Sequence, residues 1–186
     1  MTDIRKVAVI GAGVMGAGIA AHVANAGVPV VLLDIVPKEA VNRNAIAEGA
    51  IERLLKADPA AFMSKAAAKL VTPGNTEDHL DWLSDCDWIV EAVIERLDIK
   101  QALYGKIDKV RKKGSVVSSN TSTIPLADLT RGMGEGFARD FLITHFFNPP
   151  RYMRLLEIVQ GDRTAATAVQ TITRFADHKL GKSVVM

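Results

Sequence analysis

The sequence predicts an α/β fold in which a doubly wound, mainly parallel sheet carries helices on both faces. Short apolar segments, such as 6–10 (KVAVI) and 29–33 (PVVLL), are typical of strands that are buried on both sides. Longer segments with helical character separate them, as in chains that build parallel sheets. A glycine-rich turn joins the first predicted strand to an apolar helix that ends at Gly27. Together these features favour a doubly wound sheet.

The stretch from about 38 to 70 is predicted to be a helical insertion after the second strand. Its first helix would run roughly from Lys38 to Lys56. A second helix would begin with Asp58 as its N-cap and Pro59 at its first position, where proline is well tolerated.

The rest of the chain continues the alternation of strands and helices. Further strands are predicted at 87–93, 114–120, 140–146 and 154–159. Helices are predicted at 98–112 and from about Thr164 to Leu180, where Gly181 would end the second one.

Composition and charge describe one domain of ordinary size, covering residues 1–186. The chain is 48% hydrophobic and 24% charged, with a formal net charge of +2, so no strong field points to nucleic acid as a partner. No apolar run reaches the length of a membrane span. The single cysteine, Cys86, excludes an internal disulfide and a multi-cysteine metal site, and we expect a cytoplasmic location and no bound metal.

The turn GAGVMGAG carries the pattern G-x-G-x-x-G at a strand-to-helix junction. Gly11 would allow the tight turn, Gly13 would let a pyrophosphate approach the backbone, and Gly16 would let helix and strand pack closely. Asp34, at the end of the next strand, could accept both hydroxyls of an adenosine ribose and would repel a 2′-phosphate. This context predicts a Rossmann-type site for NAD. The alternative is a turn that merely tolerates glycine, and for Gly18 close packing is the expected role.

Two polar residues stand in apolar segments near the end of the chain. If 140–146 and 154–159 pair antiparallel about a centre near Arg151, His145 lies opposite Glu157. The carboxylate would then orient the imidazole and leave its other nitrogen free to exchange a proton. In a doubly wound sheet the carboxyl ends of the strands form the ligand crevice, which favours a catalytic pair. The alternative is a buried polar pair without chemistry.

Four segments together resemble the NAD-binding domain of the L-3-hydroxyacyl-CoA dehydrogenases of fatty-acid β-oxidation. They are VAVIGAGVMGAGIA, EAVIERLDIK, SSNTSTIPLADL and HFFNPPRYMRLLEIV, and the likeness extends over nearly the whole chain. The resemblance implies oxidation of (S)-3-hydroxyacyl-CoA to 3-ketoacyl-CoA with hydride transfer to NAD. Two alternatives stay open: a dehydrogenase of another 3-hydroxy substrate, such as 3-hydroxybutyryl-CoA or a sugar acid, and a dinucleotide-binding module without turnover.

The resemblance also implies roles for individual residues. His145 would be the catalytic base, Glu157 the carboxylate that orients it, and Ser122 a ligand of the substrate hydroxyl. Glu95 and Lys100 would contact the nicotinamide half of the cofactor, although an acid at a helix start and a surface lysine are the plain alternatives. The remaining implied cofactor-binding residues come from the glycine turn, the helix start after it and the ends of two strands: Gly11, Gly13, Val14, Met15, Gly16, Asp34 and Asn120.

The resemblance further implies an all-helical C-terminal domain, which would provide the dimer interface and much of the acyl pocket. The sequence ends at LGKSVVM, before a last strand and that domain. We therefore expect this chain to be the cofactor half of a homodimeric enzyme, with little activity of its own. Lys56, Lys65 and Lys69 are candidates for contacts with CoA phosphates, with a solvated helix face as the alternative.

Overall fold

The computed structural model describes residues 3–186. Within them one sheet of eight strands has the order β3-β2-β1-β4-β5-β6-β7-β8. The strands are β1 Val7–Ile10, β2 Val30–Asp34, β3 Val71–Asn75, β4 Trp88–Glu91, β5 Val116–Ser119, β6 Phe141–Phe146, β7 Leu155–Val159 and β8 Ser183–Val185. Every pair of neighbours is parallel except β6 and β7. The predicted doubly wound, mainly parallel sheet is confirmed.

Helices cover both faces of this sheet. They are α1 Val14–Asn25, α2 Ala45–Leu55, α3 Lys65–Ala68, α4 Leu97–Val110, α5 Leu126–Leu129, α6 Glu135–Asp140 and α7 Ala166–His178, with a 3₁₀ helix at Leu80–Asp85. In β1, Val7 and Val9 join the core beneath α1, α2, α3 and α7, whereas Ala8 and Ile10 join the core beneath α4, α5 and α6. The central strands thus contribute to two buried cores, which explains their largely apolar sequences.

The strands predicted from apolar runs differ from the observed ones by at most two residues at either end. The last long helix also agrees, and Gly181 lies just beyond it with a φ of +64°, a conformation that favours glycine. None of the helices within residues 3–186 combines the length and the apolar character needed to cross a bilayer.

The predicted insertion is helical only in part. Its first helix begins at Ala45 rather than Lys38, and no helix begins at Asp58. Side chains from elsewhere bind the backbone that a second helix would have used. Asn25 bonds to the Ala61 carbonyl at 2.9 Å, and Arg151 bonds to the Ala60 carbonyl at 2.6 Å. These tertiary contacts replace helical hydrogen bonds, and the short α3 starts later with Ser64 as its cap.

The two edge strands, β3 and β8, were not predicted from the sequence. β3 contains Pro73 and Gly74, which normally argue against a strand, but an edge strand tolerates proline because one side of its backbone has no ladder partner. β8 lies in the final segment, so the statement that the chain ends before a last strand is wrong: Ser183 and its neighbours already pair with β7. β8 has only three residues, and neither strand has a distinctive hydrophobic pattern.

Candidate active site

The glycine turn has the geometry that its pattern predicts. Gly11 has a φ of +105°, and a Cβ placed there would lie 2.4 Å from the Ala92 carbonyl oxygen. A Cβ on Gly16 would lie 1.7 Å from the carbonyl oxygen of Gly11, so that helix and turn pack directly backbone to backbone. A Cβ on Gly13 would meet nothing within 4 Å. Gly11 and Gly16 therefore serve the fold, whereas Gly13 leaves open space at the start of α1.

That open space is suited to phosphate. Gly13 is the N-cap residue of α1, and Val14 and Met15 form the first turn, where backbone N–H groups lack partners within the helix. The first turn holds no acidic residue, so the positive end of the helix dipole is not neutralised locally. The turn and the helix start can hold a pyrophosphate.

A cavity of about 590 Å³ lies beside the turn and reaches Asp34. The Asp34 carboxylate accepts hydrogen bonds from the backbone N–H groups of Ala12 and Ile35, both at 2.6 Å. Each carboxylate oxygen has capacity for a further donor, such as a ribose hydroxyl. Ile35 and Ile94 line the same cavity and are 65% and 63% exposed. Such apolar exposure around a cavity suits a planar base, so an adenosine fits here.

His145 and Glu157 are directly opposed in the β6–β7 ladder, as predicted. Their Nδ1 and Oε2 atoms are 2.8 Å apart. The imidazole is 23% exposed and the carboxylate 47% exposed, so both side chains reach the surface and do not lie inside the core. The pair is therefore not buried, contrary to the alternative interpretation, and its catalytic role stays a prediction. Because Glu157 bonds to Nδ1, Nε2 is the ring nitrogen available to a ligand.

The loop after β5 lies beside this pair because β5 and β6 are neighbouring parallel strands. The Asn120 side chain accepts a hydrogen bond from the backbone N–H of Phe146, at 2.9 Å, and so ties the loop to the residue after His145. Ser122 is exposed two residues further on. The topology brings the serine and the histidine to the same end of the sheet.

Glu95 and Lys100 belong to one charged cluster at the same end. Glu95 accepts hydrogen bonds from Thr121 and Thr123 of the loop after β5, and its carboxylate lies 3.3 Å from the Lys100 ammonium. Burial acts to raise the pKa of Glu95, but the bonds from Thr121 and Lys100 outweigh it and leave the pKa lowered. Lys100 itself is only 1% exposed, so the alternative of a surface lysine is wrong.

The centre of that cluster was not predicted from the sequence. Glu91, the last residue of β4, is fully buried and lies 2.6 Å from Lys100. Tyr104 donates to the same carboxylate at 2.6 Å, and burial together with the charge of Glu91 raises the pKa of its phenol, which stays protonated. The sequence signal for this buried ion pair was a carboxylate inside the apolar run 87–93 with a lysine soon after it.

The turn between β6 and β7 is held on three sides. Pro150 packs on α1 at Gly18, where a Cβ would lie 2.9 Å from the proline ring, as expected for a close-packing glycine. Arg151 reaches the Ala60 carbonyl of the insertion. The buried Lys182 donates to the Pro150 carbonyl, and burial lowers its pKa to about 8. The catalytic pair predicted from the sequence thus flanks a turn that is fixed to both the cofactor helix and the insertion.

The three lysines of the insertion, Lys56, Lys65 and Lys69, are exposed. None of the three forms an ion pair within residues 3–186. Nothing therefore distinguishes them from lysines of an ordinary solvated helix face.

Comparison with known proteins identifies relatives of the whole chain. Residues 6–186 match the family model "3-hydroxyacyl-CoA dehydrogenase, NAD binding domain". A probable 3-hydroxyacyl-CoA dehydrogenase of Deinococcus radiodurans is 52% identical over 183 residues, which cover 98% of this chain and 53% of the relative. A Bacillus subtilis protein of the same description is 43% identical, with 98% of this chain and 25% of that protein covered. The chain thus spans about half or less of these relatives.

Solved structures give the same result. FadB2 of M. tuberculosis superposes with a TM-score of 0.83 at 33% identity, covering 99% of this chain and 64% of that one. A 3-hydroxybutyryl-CoA dehydrogenase of Escherichia coli gives a TM-score of 0.81 at 30% identity, covering 99% of this chain and 38% of that one.

Proposed function

Because the chain belongs to the 3-hydroxyacyl-CoA dehydrogenase family, whose NAD-binding domain it matches over residues 6–186, we propose that it is the cofactor half of an enzyme that oxidises (S)-3-hydroxyacyl-CoA to 3-ketoacyl-CoA. NAD is the cofactor of this domain. The single observation that carries the proposed activity is the 2.8 Å contact between His145 and Glu157 at the carboxyl end of the sheet. A module that only binds a dinucleotide has no use for an oriented imidazole there.

The cofactor fits the site residues on structural grounds. Gly13 leaves the start of α1 open to a pyrophosphate, with Val14 and Met15 presenting backbone N–H groups. Asp34 can receive the adenosine ribose, and the cavity beside it suits the base. The nicotinamide half then lies toward β4, β5 and β6, where Glu95 and Asn120 are found.

His145 is the catalytic base in this proposal. Its Nε2 takes the proton of the substrate hydroxyl while C3 gives up a hydride, so that one C–H and one O–H bond break and the carbonyl forms. NAD, when bound, accepts the hydride. Glu157 stabilises the imidazolium that develops and keeps the ring in its orientation. Ser122 holds the substrate oxygen, which keeps the reacting atoms in register.

The relatives extend well beyond the region that this chain covers. We infer that the remaining part of such an enzyme closes the acyl pocket and forms a homodimer, as the resemblance implies. Relatives described as fatty acid oxidation enzymes favour an acyl-CoA substrate over a sugar acid. A cytoplasmic location is part of the same proposal. It is compatible with the buried thiol of Cys86, whose pKa burial raises to about 12.

The experiment compares this chain with a fusion to the C-terminal remainder of the Deinococcus relative. We expect the chain alone to bind NADH but to reduce acetoacetyl-CoA poorly, because the cleft is not closed against water. We expect the fusion to turn over acetoacetyl-CoA, and the same fusion with His145→Ala to lose that activity while it keeps NADH binding.

Two outcomes would contradict the proposal in different ways. Rapid turnover by the chain alone would show that the cofactor half needs no partner domain. A folded fusion that binds NADH but reduces no 3-ketoacyl-CoA of any chain length would instead favour the dinucleotide-binding module without turnover.

A further inference from the structure

Glu91 is a fully buried carboxylate whose four hydrogen-bonding positions are all occupied by protein groups. One oxygen accepts from Lys100 at 2.6 Å and from the backbone N–H of Val93 at 2.8 Å. The other accepts from Tyr104 at 2.6 Å and from Ser119 at 2.7 Å. Two oxygens with two donors each fill the capacity of a carboxylate, so the group has no room for a ligand of its own.

These four donors come from three different segments at the crevice. Val93 belongs to the turn after β4, Lys100 and Tyr104 to α4, and Ser119 to the end of β5. Glu91 therefore ties together the backbone that follows two neighbouring strands and the helix that packs beside them. Removing its charge would loosen all three segments at one point.

Lys100 extends the connection to the surface of the crevice. Its ammonium lies 2.6 Å from Glu91 and 3.3 Å from Glu95, whose side chain is 40% exposed. Glu95 in turn accepts from Thr121 and Thr123 of the loop after β5. A chain of contacts thus runs from the buried Glu91 through Lys100 to groups that a ligand can touch.

Stability alone does not account for this arrangement. Burying an ion pair is seldom more favourable than packing apolar residues of similar size, because both charges must leave water. The cluster also lies at the carboxyl end of β4, beside the crevice, where geometry matters for binding. We propose that Glu91 is a positioning residue for the nicotinamide half of the cofactor and acts through Lys100, Glu95 and the loop after β5.

The placement of the two cofactor halves follows from the strand order. Asp34 ends β2, on one side of β1, whereas Glu91 and Ser119 end β4 and β5 on the other side. A dinucleotide with its adenosine at Asp34 and its pyrophosphate at Gly13 directs its nicotinamide toward β4 and β5. This inference rests on the proposed placement of NAD, and it concerns one half of the molecule only.

The test compares NADH with ADP-ribose, which has the same adenosine, pyrophosphate and second ribose but no nicotinamide. Both are titrated by calorimetry against the chain and its Glu91→Gln variant, which keeps the shape of the side chain. We expect Glu91→Gln to lower the affinity for NADH by about tenfold, which is the scale of one lost charge-assisted hydrogen bond. The affinity for ADP-ribose should fall by less than about twofold, since it lacks the nicotinamide ring and its adenosine and pyrophosphate lie at Asp34 and Gly13.

Asp87→Asn is the matched control. Asp87 is also a buried carboxylate paired with a lysine, Lys112 at 2.6 Å, but it precedes β4, at the amino end of the strand that Glu91 ends. Both variants should lower the melting temperature. Only Glu91→Gln should lower the affinity for NADH more than the affinity for ADP-ribose. Equal weakening of the two ligands by Glu91→Gln, or no weakening of NADH, would show that the carboxylate merely supports the fold.

Tyr104→Phe provides a second variant that keeps the Glu91 carboxylate and removes one donor. It decides the question if Glu91→Gln does not fold. A smaller loss of NADH affinity, with ADP-ribose unchanged, supports the inference, and unchanged affinity for both overturns it. A wild-type chain that binds neither ligand would refute the cofactor site itself, which is a separate failure visible before any variant is made.

Discussion

The imidazole of His145 and the carboxylate of Glu157 face each other across an antiparallel strand pair, with Nδ1 and Oε2 2.8 Å apart. Directly opposed residues have the closest side chains in such a ladder, so the register brings the two groups together and their hydrogen bond orients the ring. The turn between the two strands is held by α1, by the insertion and by Lys182. The relative position of the imidazole and the carboxylate is therefore preorganised in the absence of a ligand.

The first prediction concerns this pair in the active fusion described above. His145→Ala should lower kcat by about 10²–10⁴-fold, the usual contribution of general acid–base catalysis. Glu157→Gln should also lower kcat strongly, because the amide keeps its shape but cannot stabilise an imidazolium. The double variant should be little worse than His145→Ala alone, since both residues serve one step. Steady-state kinetics with acetoacetyl-CoA measure all three.

Melting temperatures and NADH titrations of the same variants supply the control. Both side chains are partly exposed, so losing their contact should cost no more than about 1 kcal/mol of stability. Full activity combined with a clearly lowered melting temperature would contradict the catalytic role and favour a structural one.

The second prediction separates two glycines of the same turn. Gly13→Ala should lower the free energy of unfolding by less than about 1 kcal/mol, because its Cβ meets open space and its backbone suits alanine. It should still lower the affinity for NADH by about tenfold or more, since the added methyl group lies where the pyrophosphate must approach the backbone. Calorimetric titration and chemical denaturation give the two quantities. Unchanged NADH affinity would remove Gly13 from the site.

Gly16→Ala is the matched comparison and should behave in the opposite way. Its Cβ would lie 1.7 Å from the Gly11 carbonyl oxygen, so helix and turn must move apart. We expect a loss of more than about 2 kcal/mol in the free energy of unfolding, as for an overpacked core.

The third prediction concerns the choice between the two dinucleotides. The wild-type chain should bind NADH at least about tenfold more tightly than NADPH, because a 2′-phosphate would lie beside the charged Asp34. Asp34→Asn should lower the affinity for NADH, since the amide offers the ribose one acceptor fewer. It should also reduce the preference for NADH over NADPH, because the charge that repels the 2′-phosphate is gone. Asp81→Asn, which removes an equal charge from an exposed position, should leave the ratio unchanged. A wild-type preference for NADPH would contradict the role of Asp34.

The sequence was most informative where one local rule decides the structure. Apolar runs between turn residues gave six strands, and the glycine pattern gave the turn with its open position at Gly13. The opposition of His145 and Glu157 followed from counting about Arg151, because opposed residues in an antiparallel pair lie equally far from the centre of the turn. No knowledge of distant contacts was needed for any of these.

The sequence was least informative where distant side chains decide the structure. Backbone groups near Ala60 are bound by Arg151, which is far away in sequence, so helix signals at Asp58 had no effect. The Glu91 cluster was missed for a related reason. A single carboxylate in an apolar strand shows its purpose only when Lys100 and Tyr104 are placed against it.

The last prediction concerns stability in acid. His22 lies on α1 with Nε2 3.1 Å from the Leu180 carbonyl oxygen. Burial first, and then the charge of Lys182, lower the pKa of its ring from 6.5 to about 4. The unfolded chain therefore binds more protons than the folded one between pH 4 and 6.5, so the free energy of unfolding should fall as pH is lowered through this window. Above pH 6.5 the ring is neutral in both the folded and the unfolded chain, so the full stability is present there and no longer depends on His22 titration.

His22→Gln should remove this dependence, because the amide can still donate to the Leu180 carbonyl but does not titrate. The shift corresponds to at most about 3 kcal/mol, and the partial exposure of the ring reduces it to on the order of 2 kcal/mol. Urea denaturation at pH 4 and pH 7 should show the wild type losing that much more stability than the variant. His178→Gln, at an exposed position on α7, should follow the wild type. Parallel pH profiles for the wild type and His22→Gln would show that the buried ring does not limit stability in acid.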